Sequence, residues 1–117
     1  MKGKRLANFI VKVISKKKGR DITLIDVRKM SILTDFFVVC TAEVGEHASS
    51  IEEELKKELK NKGNVLFSEE GEESSDWIVM DYGDVIVHIM TEEKRKFYNI
   101  EKIWQEITPS IQRKRKV

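Results

Sequence analysis

Few residues in this 117-residue chain can carry chemistry. Nucleophilic catalysis needs a Ser or Cys beside a base. The single cysteine, Cys40, lies in the apolar run Phe36-Phe37-Val38-Val39-Cys40-Thr41, where a thiol reads as inert packing. Neither histidine, His47 or His88, has an evident Ser or Cys partner, and His88 reads as a structural imidazole on a strand. One Cys and two His build neither an internal disulfide nor a structural metal cluster. Nucleotidyl transfer needs two carboxylates on one strand face to hold Mg²⁺, and an earlier Gly-Ser turn to grip phosphates. Asp26 stands alone in Leu24-Ile25-Asp26-Val27-Arg28, and no Gly-Ser pair occurs. Asp81 and Asp84 flank a turn rather than sharing a strand face, and there is neither a GxGxxG nor a P-loop. The chain is not expected to be an enzyme or to hold a cofactor or metal.

What remains is a contact surface. Trp77, Asp81, Tyr82, Asp84 and His88 cluster on one hairpin and its tip, with Asp76 beside them. Trp and Tyr are frequent interface anchors, and acids at a rim suit a basic partner. The hairpin is the sharpest local signal. Strands 77–82 and 85–90 flank Gly83-Asp84, a two-residue turn with Gly first, as a type II′ hairpin requires. The register pairs Tyr82 with Val85, Met80 with Val87 and Ile78 with Ile89 on one apolar face. The other face carries Trp77, Val79, Asp81, Ile86, His88 and Met90, a mixture that suits partial cover or contact; Val79, Ile86 and Met90 are candidates for self-association.

The elements that hold this hairpin are legible from periodicity. Leu6, Phe9, Ile10, Val13 and Ile14 form a core-facing stripe, so 5–18 reads as a helix, with Gly19 placed as its left-handed cap. Segments 22–27 and 36–41 read as antiparallel strands, because the link 28–35 lacks a helical pattern. A helix over 46–62 buries Ala48, Ile51, Leu55 and Leu59, with Glu52→Lys56, Glu53→Lys57 and Glu58→Lys62 pairs on its wet faces, and ends between Asn61 and Gly63. A short strand at 65–67 precedes an acidic loop at 68–75. Thr91 reads as the N-cap of a helix reaching Tyr98, and Asn99 as the cap of another over 100–107. The fold class is therefore α/β (α+β), a mixed sheet of about five strands flanked by helices. Residues 1–108 form one domain, and 109–117 a basic disordered tail beyond Pro109.

Charge is unevenly spread. Residues 1–20 hold eight bases and no acid, residues 113–116 four more bases, and residues 21–112 twenty acids against ten bases, a net −10 beneath an overall +2. That separation suggests an electrostatically chosen partner. No apolar run approaches the ~20 residues that span a bilayer, so no membrane partner is expected. The absence of a secretory h-region points to the cytosol. Arg113, Lys114, Arg115 and Lys116 suit non-specific RNA phosphates, without an aromatic platform or helix-turn-helix to read sequence.

At this point the motifs match a known family. Asp21-Ile22, Leu24-Ile25-Asp26-Val27 and Thr34-Asp35-Phe36-Phe37-Val38-Val39-Cys40-Thr41 lead into Glu70-Gly71-Glu72. Asp76-Trp77-Ile78-Val79-Met80-Asp81-Tyr82-Gly83-Asp84-Val85-Ile86-Val87-His88-Ile89-Met90 follows, and then Arg95-Lys96-Phe97-Tyr98-Asn99-Ile100-Glu101-Lys102-Ile103-Trp104. Over about residues 5–106 the chain resembles the ribosomal silencing factor S (Iojap) family. The resemblance implies a nucleotidyltransferase-like sheet without the catalytic motif. It implies a translation repressor that binds the large ribosomal subunit on its universal protein number fourteen and sterically blocks small-subunit joining. It also implies a homodimer in isolation and a bacterial cytoplasm. The alternatives are a nucleotidyltransferase-like enzyme and a non-specific RNA-binding protein. The candidate partner-binding residues are Asp76, Trp77, Asp81, Tyr82, Asp84, His88 and Tyr98. One turn departs from the family pattern. Ala42-Glu43-Val44 replaces Gly-x-Ser after Thr41, which removes the small hydroxyl cap, while His47 still matches.

Overall fold

The computed structural model describes residues 1–71 and 76–99. Eight elements run through these residues: α1 (Gly3–Lys16), β1 (Arg20–Asp26), β2 (Phe36–Ala42), α2 (Gly45–Asn61), β3 (Ser68–Glu70), β4 (Trp77–Asp81), β5 (Val85–Thr91) and α3 (Glu92–Tyr98). The expected helix over 100–107 and the tail 109–117 lie outside the described residues.

β2 and β5, the two most apolar strands, take the centre and pair in parallel from Phe36↔Val85 to Ala42↔Thr91. A parallel pair needs a crossover, which α2, β3 and β4 supply. β1 joins β2, β4 joins β5 and β3 joins β4, all antiparallel, in the order β1-β2-β5-β4-β3. The hairpin register is the expected one, with Ile78↔Ile89 and Met80↔Val87, and the Tyr82 N–H donates to the Val85 carbonyl at 2.9 Å. Gly83, the first turn residue, supplies φ +87.

α1 and α2 cover one face of the sheet. Leu6, Ala7, Ile10, Val13 and Ile14 of α1 meet Ala48, Ile51, Leu55 and Leu59 of α2 over Phe36, Val38, Cys40 and all six apolar hairpin residues. Full burial of each large aliphatic contributes about 1.5–3 kcal/mol. Burial also pushes the Cys40 thiol up to about 12, so it stays protonated and unreactive.

Local chemistry departs from expectation at several places. Lys18, not Gly19, takes the left-handed position after α1, at φ +64. Gly19 follows it and donates its N–H to the Ile14 carbonyl at 2.9 Å, while Lys18 donates to Ser15. Glycine is required at 19 for space, since an added Cβ would collide with an Ile14 methyl. β3 forms at Ser68–Glu70 rather than 65–67, because the ladder with β4 runs from Ser68↔Asp81 to Glu70↔Val79; Val65 and Phe67 stay 60% and 67% exposed. Glu52 is buried rather than wet, with Lys56 reaching between it and Glu69 at 3.8 and 2.7 Å. Glu58 pairs with Lys16 of α1 at 2.9 Å.

Two caps complete the list. Thr91 precedes α3 with no side-chain capping bond, and Asn99 closes that helix at φ +42. The turn that lacks a small hydroxyl is closed by His47 instead. Its Nδ1 accepts the Glu43 N–H at 3.0 Å and its Nε2 lies 2.8 Å from the Lys17 carbonyl, tying the start of α2 to the end of α1.

Gly19→Ala is expected to lower stability by about 1–3 kcal/mol through overpacking against Ile14. Urea denaturation of both proteins checks this; an unchanged midpoint would show that the α1–β1 junction has slack.

Candidate partner-binding face

The second face of the sheet is covered differently. Ile25, Val27, Val39 and Met90 are buried there, with Phe37 and Trp77 packed beside them. α3 follows β5 directly and is fixed by Arg95, whose guanidinium bonds the Asp21 carbonyl, Thr41 Oγ1 at 2.8 Å and Thr23 Oγ1 at 3.0 Å. Asp21 sits at φ +47 where the β1–β2 register shifts between Arg20 and Thr23, so Arg95 clamps an irregular stretch of β1.

Between α3 and the sheet runs a ladder of rings. Phe37 of β2 meets His88 of β5 edge-on at 5.1 Å between centroids. His88 lies 6.1 Å from Trp77 of β4, and Trp77 lies 4.6 Å from Tyr98 of α3. Tyr98 meets Phe97 edge-on at 4.9 Å. Exposure rises outward from His88: His88 is 8% exposed, Tyr98 42% and Phe97 77%, while Phe37 on the other side of His88 is partly buried. His88 is core, and the outer end is an exposed aromatic surface among the described residues.

The buried end sets the protonation state. The Trp77 indole N–H donates to His88 Nδ1 at 3.1 Å, which places the imidazole proton on Nε2. Desolvation lowers the His88 pKa to about 4, so the ring is neutral near pH 7 and free to accept. Its Nε2 is buried without a hydrogen-bond partner among the described residues. His88 therefore orients Trp77 from beneath.

The candidate acids serve the scaffold. Asp84 Oδ2 accepts the Gly3 N–H at 2.8 Å, capping α1, and its carbonyl accepts the N–H groups of Asp35 and Phe36, each at 3.0 Å. Asp81 Oδ1 accepts the Gly83 N–H at 2.7 Å and shapes the turn. Asp76 is exposed, and its carbonyl accepts the Thr91 N–H at 3.0 Å, extending the hairpin ladder. Tyr82 is 5% exposed on the opposite, helix-covered face, its phenol pushed up to about 12 by burial and by Glu69 and Glu52.

Of the seven candidates, the structure brings together Trp77, His88 and Tyr98, sets Asp76 at the start of β4, and leaves Asp81 and Asp84 at the turn and Tyr82 in the core. Met90 is fully buried, which removes it from any apolar self-association surface; Val79 and Ile86 remain partly open. Phe97 and Phe37 escaped the sequence reading. Phe97 carried one signal, a large aromatic beside Tyr98 in a helix with no buried residue.

Asp26, the strand carboxylate considered for metal binding, is 7% exposed and gripped side-on by Arg28, whose Nε lies 3.0 and 3.1 Å from its two oxygens and whose guanidinium lies over the Phe36 ring.

With this geometry in view, the comparisons are specific. The family model described as ribosomal silencing factor during starvation matches residues 2–117. A Haemophilus influenzae protein named ribosomal silencing factor is 39% identical over 99 residues, 85% of this chain and 97% of that one. A mouse protein named for mitochondrial assembly of the ribosomal large subunit is 28% identical over 100 residues, 83% of this chain and 44% of its own. The crystal structure of a Chromobacterium violaceum protein, 29% identical, superposes with a TM-score of 0.86 over 89% of this chain and 87% of that one.

Two outcomes are expected. As pH falls from about 6.5, the unfolded chain takes up a proton at His88 that the folded form refuses until about pH 4. Stability falls through that window by roughly 3 kcal/mol and then levels. His88→Gln keeps an acceptor without titrating, so wild type and variant should diverge by that amount in unfolding experiments between pH 7 and 4; parallel curves would refute the assignment. Asp84→Ala should cost about 1 kcal/mol from loss of the α1 cap, and Asp84→Asn much less, in thermal unfolding.

Proposed function

The chain belongs to the family of ribosomal silencing factors, and on that premise we propose that it docks on the large ribosomal subunit and sterically blocks joining of the small one. Family membership carries association with the ribosome and repression of translation. The further step, to the large subunit and its universal protein number fourteen, rests on the motif resemblance and is supported by the name of the mouse relative. The mechanism needs no chemistry: a rigid domain occupies a surface that the other subunit requires. The compartment is a bacterial cytoplasm, and the free protein is a homodimer.

The observation that carries the docking face is the aromatic ladder. Trp77 is held by a neutral His88 and by Tyr98, and Tyr98 and Phe97 are open to solvent. Aromatics fixed from beneath lose little freedom on binding, which is what an interface anchor needs. Asp76 at the start of β4 and the exposed Glu93 on α3 place acids beside the face, suited to a basic ribosomal protein, while Glu92 is paired with Arg20 and Lys96 and Lys94 lies over the Tyr98 ring. Asp81 and Asp84 hold the hairpin tip through their bonds to Gly83 and Gly3, and Tyr82 packs in the core beneath the opposite face. Arg113, Lys114, Arg115 and Lys116 add a weak, sequence-independent contact with ribosomal RNA.

Co-sedimentation with separated subunits tests this. The protein should pellet with large subunits, not small ones, and added large subunits preloaded with it should fail to join small subunits. Tyr98→Ala and Trp77→Ala, each with a native unfolding profile, should weaken binding at least about tenfold. Wild-type affinity in both variants would remove the docking face from the ladder.

A further inference from the structure

The exposed face of α1 is cationic and carries no acid, and no role described above uses it. Leu6, Ala7, Ile10, Val13 and Ile14 point into the core, which leaves Lys4, Arg5, Asn8, Lys12, Ser15 and Lys16 along the outer side. Lys16 is taken by Glu58 and Glu54 at 2.9 and 3.7 Å. Lys2, Lys4, Arg5 and Lys12 are exposed, and no carboxylate among the described residues pairs with them. Lys4 and Lys12 stand about 12 Å apart along the helix, given its rise per residue.

We propose that Lys2, Lys4, Arg5 and Lys12 form a second contact surface, for the phosphate backbone of folded RNA. This rests on the reading that the chain works on a ribosomal particle. The occupant follows from complementarity. The face is charged and polar, without an exposed aromatic, so it suits phosphates rather than base edges. The apolar side of α1 is locked in the core and cannot enter a lipid surface. Residues 21–112 carry a net −10 and repel a polyanion, so α1 is the side that turns toward one. The Asp84 cap joins α1 to the hairpin turn, so this face and the aromatic ladder sit on one rigid body.

The test uses Lys4→Gln/Arg5→Gln/Lys12→Gln and the corresponding triple Glu variant, both with the 113–116 run intact, and checks that the unfolding midpoint is unchanged. Binding to a short RNA duplex at low salt is read by fluorescence anisotropy, and binding to purified large subunits by sedimentation over a salt series. The Gln variant should bind the duplex at least tenfold more weakly and the Glu variant more weakly still. On subunits, the slope of log affinity against log salt should become shallower by about two to three. Wild-type duplex affinity and an unchanged slope in both variants would overturn the proposal. So would loss, in the variants, of a salt-dependent dimer of the protein alone with RNA binding unaltered, since the face would then meet the acidic body of a second copy. Duplex binding that the variants lose, from a wild type that ignores large subunits, would support the RNA face and sink the docking reading instead.

Discussion

The parallel pairing of β2 with β5 is the constraint on which the architecture turns. Both strands are central, and both place apolar side chains on two faces, as parallel strands in a mixed sheet do. Two faces then need cover, and the chain covers them unequally. α1 and α2 seal one with a continuous aliphatic layer. Among the described residues the other is left to α3, a helix of seven residues without a buried side chain, and to a file of aromatic rings. A seven-residue helix is too short to close a five-stranded sheet, and among the described residues the ladder ends on an exposed Phe97. The asymmetry that makes one side a core leaves exposed aromatic rings on the other, among the described residues.

On that surface, charge and burial have exchanged the roles their residue types suggest. His88, a titratable group, is neutral and works as a fixed acceptor for an indole N–H. Asp84 and Asp81, which read as partner-facing acids, spend their carboxylates on backbone N–H groups. A carboxylate that accepts such bonds is well placed for rigidity. His88 thus fixes Trp77 within the ladder, while the two aspartates fix the turn and the start of α1.

Much of this was legible from side-chain periodicity. The hairpin register, the six residues of its core face and the stripes of both long helices follow from counting by two and by 3.6, because burial imposes those periods directly. What pattern could not supply were contacts between distant segments. Nothing near Asp84 announces that Gly3, more than eighty residues earlier, will seek its carboxylate. Glu52 looked wet because its helical position pairs it with Lys56, yet β3 closes over it. β3 itself was misplaced because an edge strand is chosen by backbone pairing with β4 and not by its own side chains. Tyr82 was counted both as core by register and as anchor by residue type; register decided.

The bond between Gly3 and Asp84 also orders events in time. A chain made from its N-terminus presents α1 first, with five apolar side chains on one flank and four uncapped N–H groups at its start. The sheet beneath α1 is incomplete until β5 exists, and its cap is missing until residue 84 has been made. Contacts of such long sequence separation are slow to close and reward the chain only when they do. α1 is therefore fully secured only once the hairpin is in place, an amphipathic, cationic helix whose cap lies 81 residues further along the chain.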